Sequence, residues 1–99
     1  MSKYIPDEIL KAFTTSYENE DVWQIHSDNN WLTVFLYKES QIEPNQNLPK
    51  YLEMKEGYLK LIRKYLDPPA SEIKEIALYF DSKENFEKKY GGNWYDYYH

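Results

Sequence analysis

Apolar residues recur at helical spacing from Pro49 to Asp67, PKYLEMKEGYLKLIRKYLD. Leu52, Leu59, Ile62 and Leu66 mark one stripe, and Tyr51, Met54, Tyr58, Leu61 and Tyr65 widen it. Glu53, Glu56, Lys60, Arg63, Lys64 and Asp67 fall on the opposite side, so the pattern predicts an amphipathic helix with one face to bury. Pro49 suits its first turn and Pro68-Pro69 stops it, while Lys60, Arg63 and Lys64 complement the negative end of its dipole. Gly57 is a weak point, costing about 1 kcal/mol relative to Ala. An earlier run, Ile5, Ile9, Phe13 and Tyr17, also steps by four and predicts a first helix over residues 5–17. Pro6, Asp7 and Glu8 suit its start.

Between them the period changes to two. Asp21 to Lys38 reads as a β-hairpin around Ser27-Asp28-Asn29-Asn30, residues that tolerate the backbone of tight turns. A loop centred on Asp28-Asn29 sets Ile25 opposite Leu32 and Trp23 opposite Val34. Trp23, Ile25, Leu32, Val34 and Leu36 then share a core face. Val22, Gln24, His26, Trp31, Thr33, Phe35 and Tyr37 share the other, and turning instead at Asn29-Asn30 keeps both sets. The second face carries too much aromatic surface to stand bare, so another element or a partner covers it. Gln41 to Leu48 is a polar connector.

After the central helix, Ile76, Leu78 and Phe80 alternate with Glu75, Ala77 and Tyr79, which predicts a half-buried strand over 72–80. Asp81 with Glu84 has the spacing of a capping box, opening a short helix that runs to Tyr90 and ends on Gly91-Gly92. The last seven residues, NWYDYYH, bring Trp94, Tyr95, Tyr97 and Tyr98. The elements follow the order α-β-β-α-β-α across one domain, residues 1–99. An α+β fold accommodates them: a three-stranded sheet containing one antiparallel hairpin, with helices packed on one face.

Composition narrows the function classes. With no Cys there is neither disulfide nor thiolate metal site. The amino-terminal residues lack the apolar run of a signal peptide, and the longest apolar run, Trp31 to Tyr37, is too short to cross a bilayer; a cytoplasmic protein without membrane attachment is expected. The net charge of −5 is unevenly placed. Residues 1–49 hold eight acidic and three basic side chains, and residues 50–99 hold nine of each. An acidic front half disfavours nucleic acid, whose phosphates need clustered cations, and favours a basic protein partner.

Signals of catalysis are thin. His26, Ser27 and Asp28 have the residue types of a nucleophilic triad, but neighbours near a turn point apart and cannot form the relay. His26 and Asp28 lack a third metal ligand, and three glycines build no phosphate loop. We therefore expect no enzyme, cofactor or metal. Two features stand out instead. Glu18, Glu20, Asp21, Glu39 and Glu43 converge on one edge, because the start of one hairpin strand lies beside the end of the other. Trp31, Phe35, Tyr37, Trp94 and Tyr95 are candidate aromatic anchors, since Trp and Tyr give stiff contact area with a polar tip.

In build, though not in motif, this small, acidic, cysteine-free and aromatic-rich chain resembles proteins that neutralise another protein. Immunity proteins that block bacterial toxins are one such group, and phage inhibitors of host enzymes are another. That resemblance implies an inhibitor, an immunity protein covering the active site of a cationic, nuclease-like toxin. The alternative is a structural or regulatory subunit that forms a homo- or hetero-oligomer through the aromatic sheet face.

Overall fold

A computed structural model describes residues 4–28 and 30–99. Asn29, within the turn that the sequence predicts, lies outside the described residues. Three strands form one sheet in the order β1 (Val22–Asp28), β2 (Trp31–Leu36), β3 (Ala77–Ser82). The hairpin pair β1–β2 is antiparallel and β3 adds parallel to β2, so β2 is central, buried from Leu32 to Leu36. Near the turn the register pairs Asp28 with Trp31 and Ile25 with Val34. That is the alternative placement of the turn, and it preserves the two face sets over most of the hairpin.

At the start of β1 the register slips. Val22, not Trp23, pairs with Leu36, and Trp23 is the extra residue of a β-bulge before Gln24 pairs with Phe35. Because side chains alternate, one extra residue exchanges the faces of the two. Val22 is buried in the core with Leu32, Val34 and Leu36, while Trp23 turns to the opposite face and meets Phe35, Phe86 and Trp94. The expected placement of Trp23 in the first core is thereby corrected. Binary patterning had no means of choosing between two adjacent apolar residues at a bulge.

The first core lies between the sheet and two helices, α1 (Asp7–Thr15) and, after the short α2 (Ile42–Gln46), the long α3 (Pro49–Tyr65). Pro6 sits at the N-cap of α1, and its carbonyl accepts from the amides of Ile9 and Leu10. Pro49 occupies the first turn of α3, as its fixed φ allows. The buried positions of α3 are Tyr51, Met54, Tyr58 and Ile62, with Leu66 just beyond it. Leu52, expected in the stripe, is 64% exposed, and Leu59 is half-buried. The buried face is thus rotated toward the tyrosines. Their reach explains the choice: the Tyr58 hydroxyl donates to the backbone carbonyl of Asp28 at the hairpin end, a bond no Leu can make.

Gly57 faces α1. A Cβ there would stand 3.0 Å from Phe13 Cε1, so the glycine permits close approach of the two helices. Its cost in helix propensity accompanies this contact.

The second core occupies the other sheet face. β3 runs two residues beyond its predicted end, and Ser82 rather than Asp81 caps α4 (Lys83–Tyr90), its Oγ accepting from the Asn85 amide at 2.9 Å. Gly91 (φ 59°) and Gly92 (φ 74°) end α4 in the left-handed region. Asn93 then caps a last helix, α5 (Trp94–Tyr98), by accepting from the Tyr95 and Asp96 amides. With α5 the aromatic tail folds back over the sheet. Trp94 stacks on Phe86 with ring centroids 3.9 Å apart and meets Phe35 edge-on at 5.1 Å. Tyr97 hydrogen-bonds Asp81 Oδ2 at 2.6 Å, and burial beside that carboxylate holds its phenol well above the ordinary tyrosine range. The chain itself, rather than a partner, covers the aromatic face.

Candidate functional site

The covering of that face decides which candidate anchors remain available. Phe35 is wholly buried, and Trp94 and Trp31 are half-buried, Trp31 near Tyr98 at the turn end of the hairpin. Tyr95 is 70% exposed but lies on α5, stacked on His99. Only Tyr37 combines exposure with the acidic edge. It follows β2 directly, its amide donates to the carbonyl of Asp21 (3.2 Å), and its carbonyl accepts from the amide of Glu84 (3.1 Å). Its ring is 42% exposed.

Around Tyr37 the carboxylates are held by neutral donors. Asp21 Oδ1 accepts from Gln41 Nε2 at 3.0 Å, and the amide of Asp21 donates to Asn19 Oδ1 at 2.7 Å. Glu39 Oε1 accepts from Ser82 Oγ at 2.7 Å, while Glu84 Oε1 accepts from the Glu39 amide at 3.1 Å. The Glu84 side chain is thereby held at the Glu39 backbone. Among the described residues the ion pairs are Lys55–Glu75 and Lys83–Glu87, and neither includes Asp21, Glu39 or Glu84. Glu18, Glu20 and Glu43 stand exposed on the adjoining segments.

The structure thus brings Asp21, Tyr37 and Glu39 together and adds Glu84, which sequence reasoning assigned to a helix cap. The missing signal was long-range. Only the parallel register, with Leu36 beside Ser82, carries the start of α4 to the end of β2. The short helix α2 was unread for a different reason, since five residues containing Pro44 show no helical period. It places Glu43 in its first turn, where the helix dipole favours an anion.

His26 belongs to the second core. Gln24 Oε1 accepts from its Nε2 at 2.8 Å, and its Nδ1 accepts from the Tyr98 hydroxyl at 2.5 Å, which suits a neutral ring. Trp94 and Phe35 pack against it with centroids at 4.4 and 4.9 Å. Burial lowers its pKa below the ordinary histidine value. The unfolded chain therefore takes up a proton near pH 6.5 that the folded chain resists, and stability falls as pH drops from there through the lowered value. Urea unfolding between about pH 7 and about pH 5 should show this loss, and His26→Gln should remove that part of it. An unchanged pH slope in the variant would contradict the assignment.

Among the described residues no three His, Cys, Asp or Glu side chains converge as a metal site, and no helix is long and apolar enough to cross a membrane. Compared with known protein families, curated proteins and solved structures, the chain matches none of them.

Proposed function

We propose that this protein is a small acidic inhibitor, of the immunity type, that docks on a basic protein through the edge around Tyr37 and covers its active site. One observation carries the reading: Asp21, Glu39 and Glu84 lie on backbone segments that meet at the exposed Tyr37, and none of the three is in an ion pair among the described residues. Carboxylates held by neutral donors beside an exposed aromatic residue attract a cationic surface over distance and offer an anchor on arrival. Carboxylates also stand in for the phosphates that a nucleic-acid enzyme binds. The alternative, assembly through the aromatic sheet face, loses its surface because α4 and α5 already occupy it.

Expression of the gene directly upstream tests the function. A product that arrests bacterial growth alone, and does not when this protein is co-expressed, supports an immunity role; a harmless metabolic neighbour overturns it. The edge is tested on the purified complex. Glu18→Lys/Glu20→Lys should slow association about tenfold at low salt with little change in dissociation, and the gap should narrow as salt rises. Lys88→Glu/Lys89→Glu, on the exposed side of α4, serves as the contrast. Equal effects from both pairs, or no salt dependence, would place the interface elsewhere.

A further inference from the structure

β3 is an edge of the sheet, with β2 as its neighbouring strand. The amide of Ala77 donates to the carbonyl of Asn30 at 3.0 Å, so by alternation the backbone groups of Ala77, Tyr79 and Asp81 face β2. Those of Leu78 and Phe80 therefore point the other way, along the open margin of the sheet. The two margins of the sheet differ. β1 carries the bulge at Trp23 and follows directly on Asp21, and bulges and charges both discourage a further strand. β3 runs in unbroken register from Ala77 to Ser82, and the stretch Ile76–Phe80, IALYF, holds no charged side chain. Tyr79, in its middle, is 57% exposed. On the α3 side a groove of about 310 Å³ borders β3, with Leu48, Leu52, Leu78 and Phe80 among its walls and no carboxylate among its lining residues.

We propose that this margin is a self-association site, and that its occupant is β3 of a second copy of the chain, added antiparallel about a twofold axis at Tyr79. Charge carries the choice of partner and of register. Two chains of net charge −5 repel, so they meet best where carboxylates are kept apart, and the middle of β3 with its groove is such a surface. An identical strand brings no charge of its own into Ile76–Phe80. Antiparallel pairing must also set outward-facing residues opposite one another, which leaves few registers. Centred on Leu78, it sets Glu75 against Asp81, like charges directly opposed. Centred on Phe80, it runs the ladder into α4, because β3 ends at Ser82. Centred on Tyr79, it places Leu78 of each copy opposite Phe80 of the other, and both pairs exchange backbone hydrogen bonds. Glu75 then falls level with Lys83, its opposite in charge; within one chain these two are paired with Lys55 and Glu87. Directly opposed side chains project to the same face, so both grooves lie on one side of a continuous sheet and Leu48 and Leu52 gain apolar neighbours. The site is separate from the Tyr37 edge and does not rest on the inhibitor reading.

Sedimentation equilibrium of the full-length protein should show the mean mass rising from one chain toward two as concentration increases. Tyr79→Lys sets two cations against each other at the axis and should raise the dissociation constant roughly tenfold. Tyr95→Lys, at an exposed position on α5, makes the same change in net charge and should shift it by less than about twofold. Both variants lower the overall repulsion between copies, so weakening confined to Tyr79→Lys arises at the axis itself. The chain has no cysteine, so an introduced thiol reports one position. In Tyr79→Cys the two thiols face each other, with opposed Cβ atoms about 4.5–5.5 Å apart. Mild oxidation should link it into a disulfide dimer roughly tenfold faster than Tyr95→Cys at the same concentration. This second measurement decides the matter should circular dichroism show that Tyr79→Lys has lost its fold. A protein that stays monomeric up to its solubility limit, a Tyr79→Lys variant that associates as well as the wild type, equal weakening by the two lysine variants, or equal cross-linking of the two cysteine variants would each overturn the proposal.

Discussion

Phe35→Ala should cost roughly 3–5 kcal/mol of stability, the largest loss expected from a single truncation in this chain. The side chain is wholly buried on the central strand. Its ring centroid lies 4.9 Å from His26, 5.1 Å from Trp94, 5.4 Å from Tyr97 and 6.3 Å from Trp23. Removing it deletes a member of each of these contacts and opens a void that rigid rings close poorly. Urea unfolding gives the value, with Tyr95→Ala as the comparison. Tyr95 sits on the same helix as Trp94 but is 70% exposed, so its loss should stay within about 0.5 kcal/mol. Similar small losses in both variants would show that α5 does not close this face in solution.

The second large effect separates residues of one helix. Ile62→Ala should cost roughly 2–5 kcal/mol, while Leu52→Ala should cost less than about 0.5 kcal/mol. Both belong to the apolar stripe that the spacing predicts, yet Ile62 is wholly buried and Leu52 is 64% exposed. Half-buried Leu59 should fall between them. Equal losses at Ile62 and Leu52 would mean that α3 rotates by about one residue from the face described.

That contrast shows where periodicity stops being informative. An apolar stripe nine residues wide, from Tyr51 to Leu66, fixes that α3 has a buried side but not its centre. The centre is set by what stands opposite: Phe13 at Gly57, the Asp28 carbonyl at Tyr58 and the Phe80 ring at Tyr51. The hairpin, its face sets and the succession of principal elements were legible because alternation and turn residues are local. Trp23 was not, since a bulge is defined by the partner strand. Nor was Glu84, because its neighbours Tyr37 and Glu39 are reached only through the pairing of β3 with β2. Of the candidate site, charge near the start and end of the hairpin was readable, whereas Tyr37, the exposed residue beside it, had to be picked from several aromatics by exposure.

The parallel strand has a kinetic consequence. Trp31 finds Asp28 three positions back, but its other neighbour, Ala77, lies 46 positions on. A hairpin closes in roughly 1–10 μs, whereas joining β3 requires α3 to be in place and a long loop to be closed. Folding should therefore pass through a stage in which one margin of β2 is already zipped and the other is bare. The bare margin is the backbone of the most apolar strand in the chain, Trp31 to Leu36. During that interval a second nascent chain competes with β3 for the same hydrogen bonds, and crowding during synthesis favours the intruder. The later β3 docks, the longer that margin of β2 stays open to pairing with another chain.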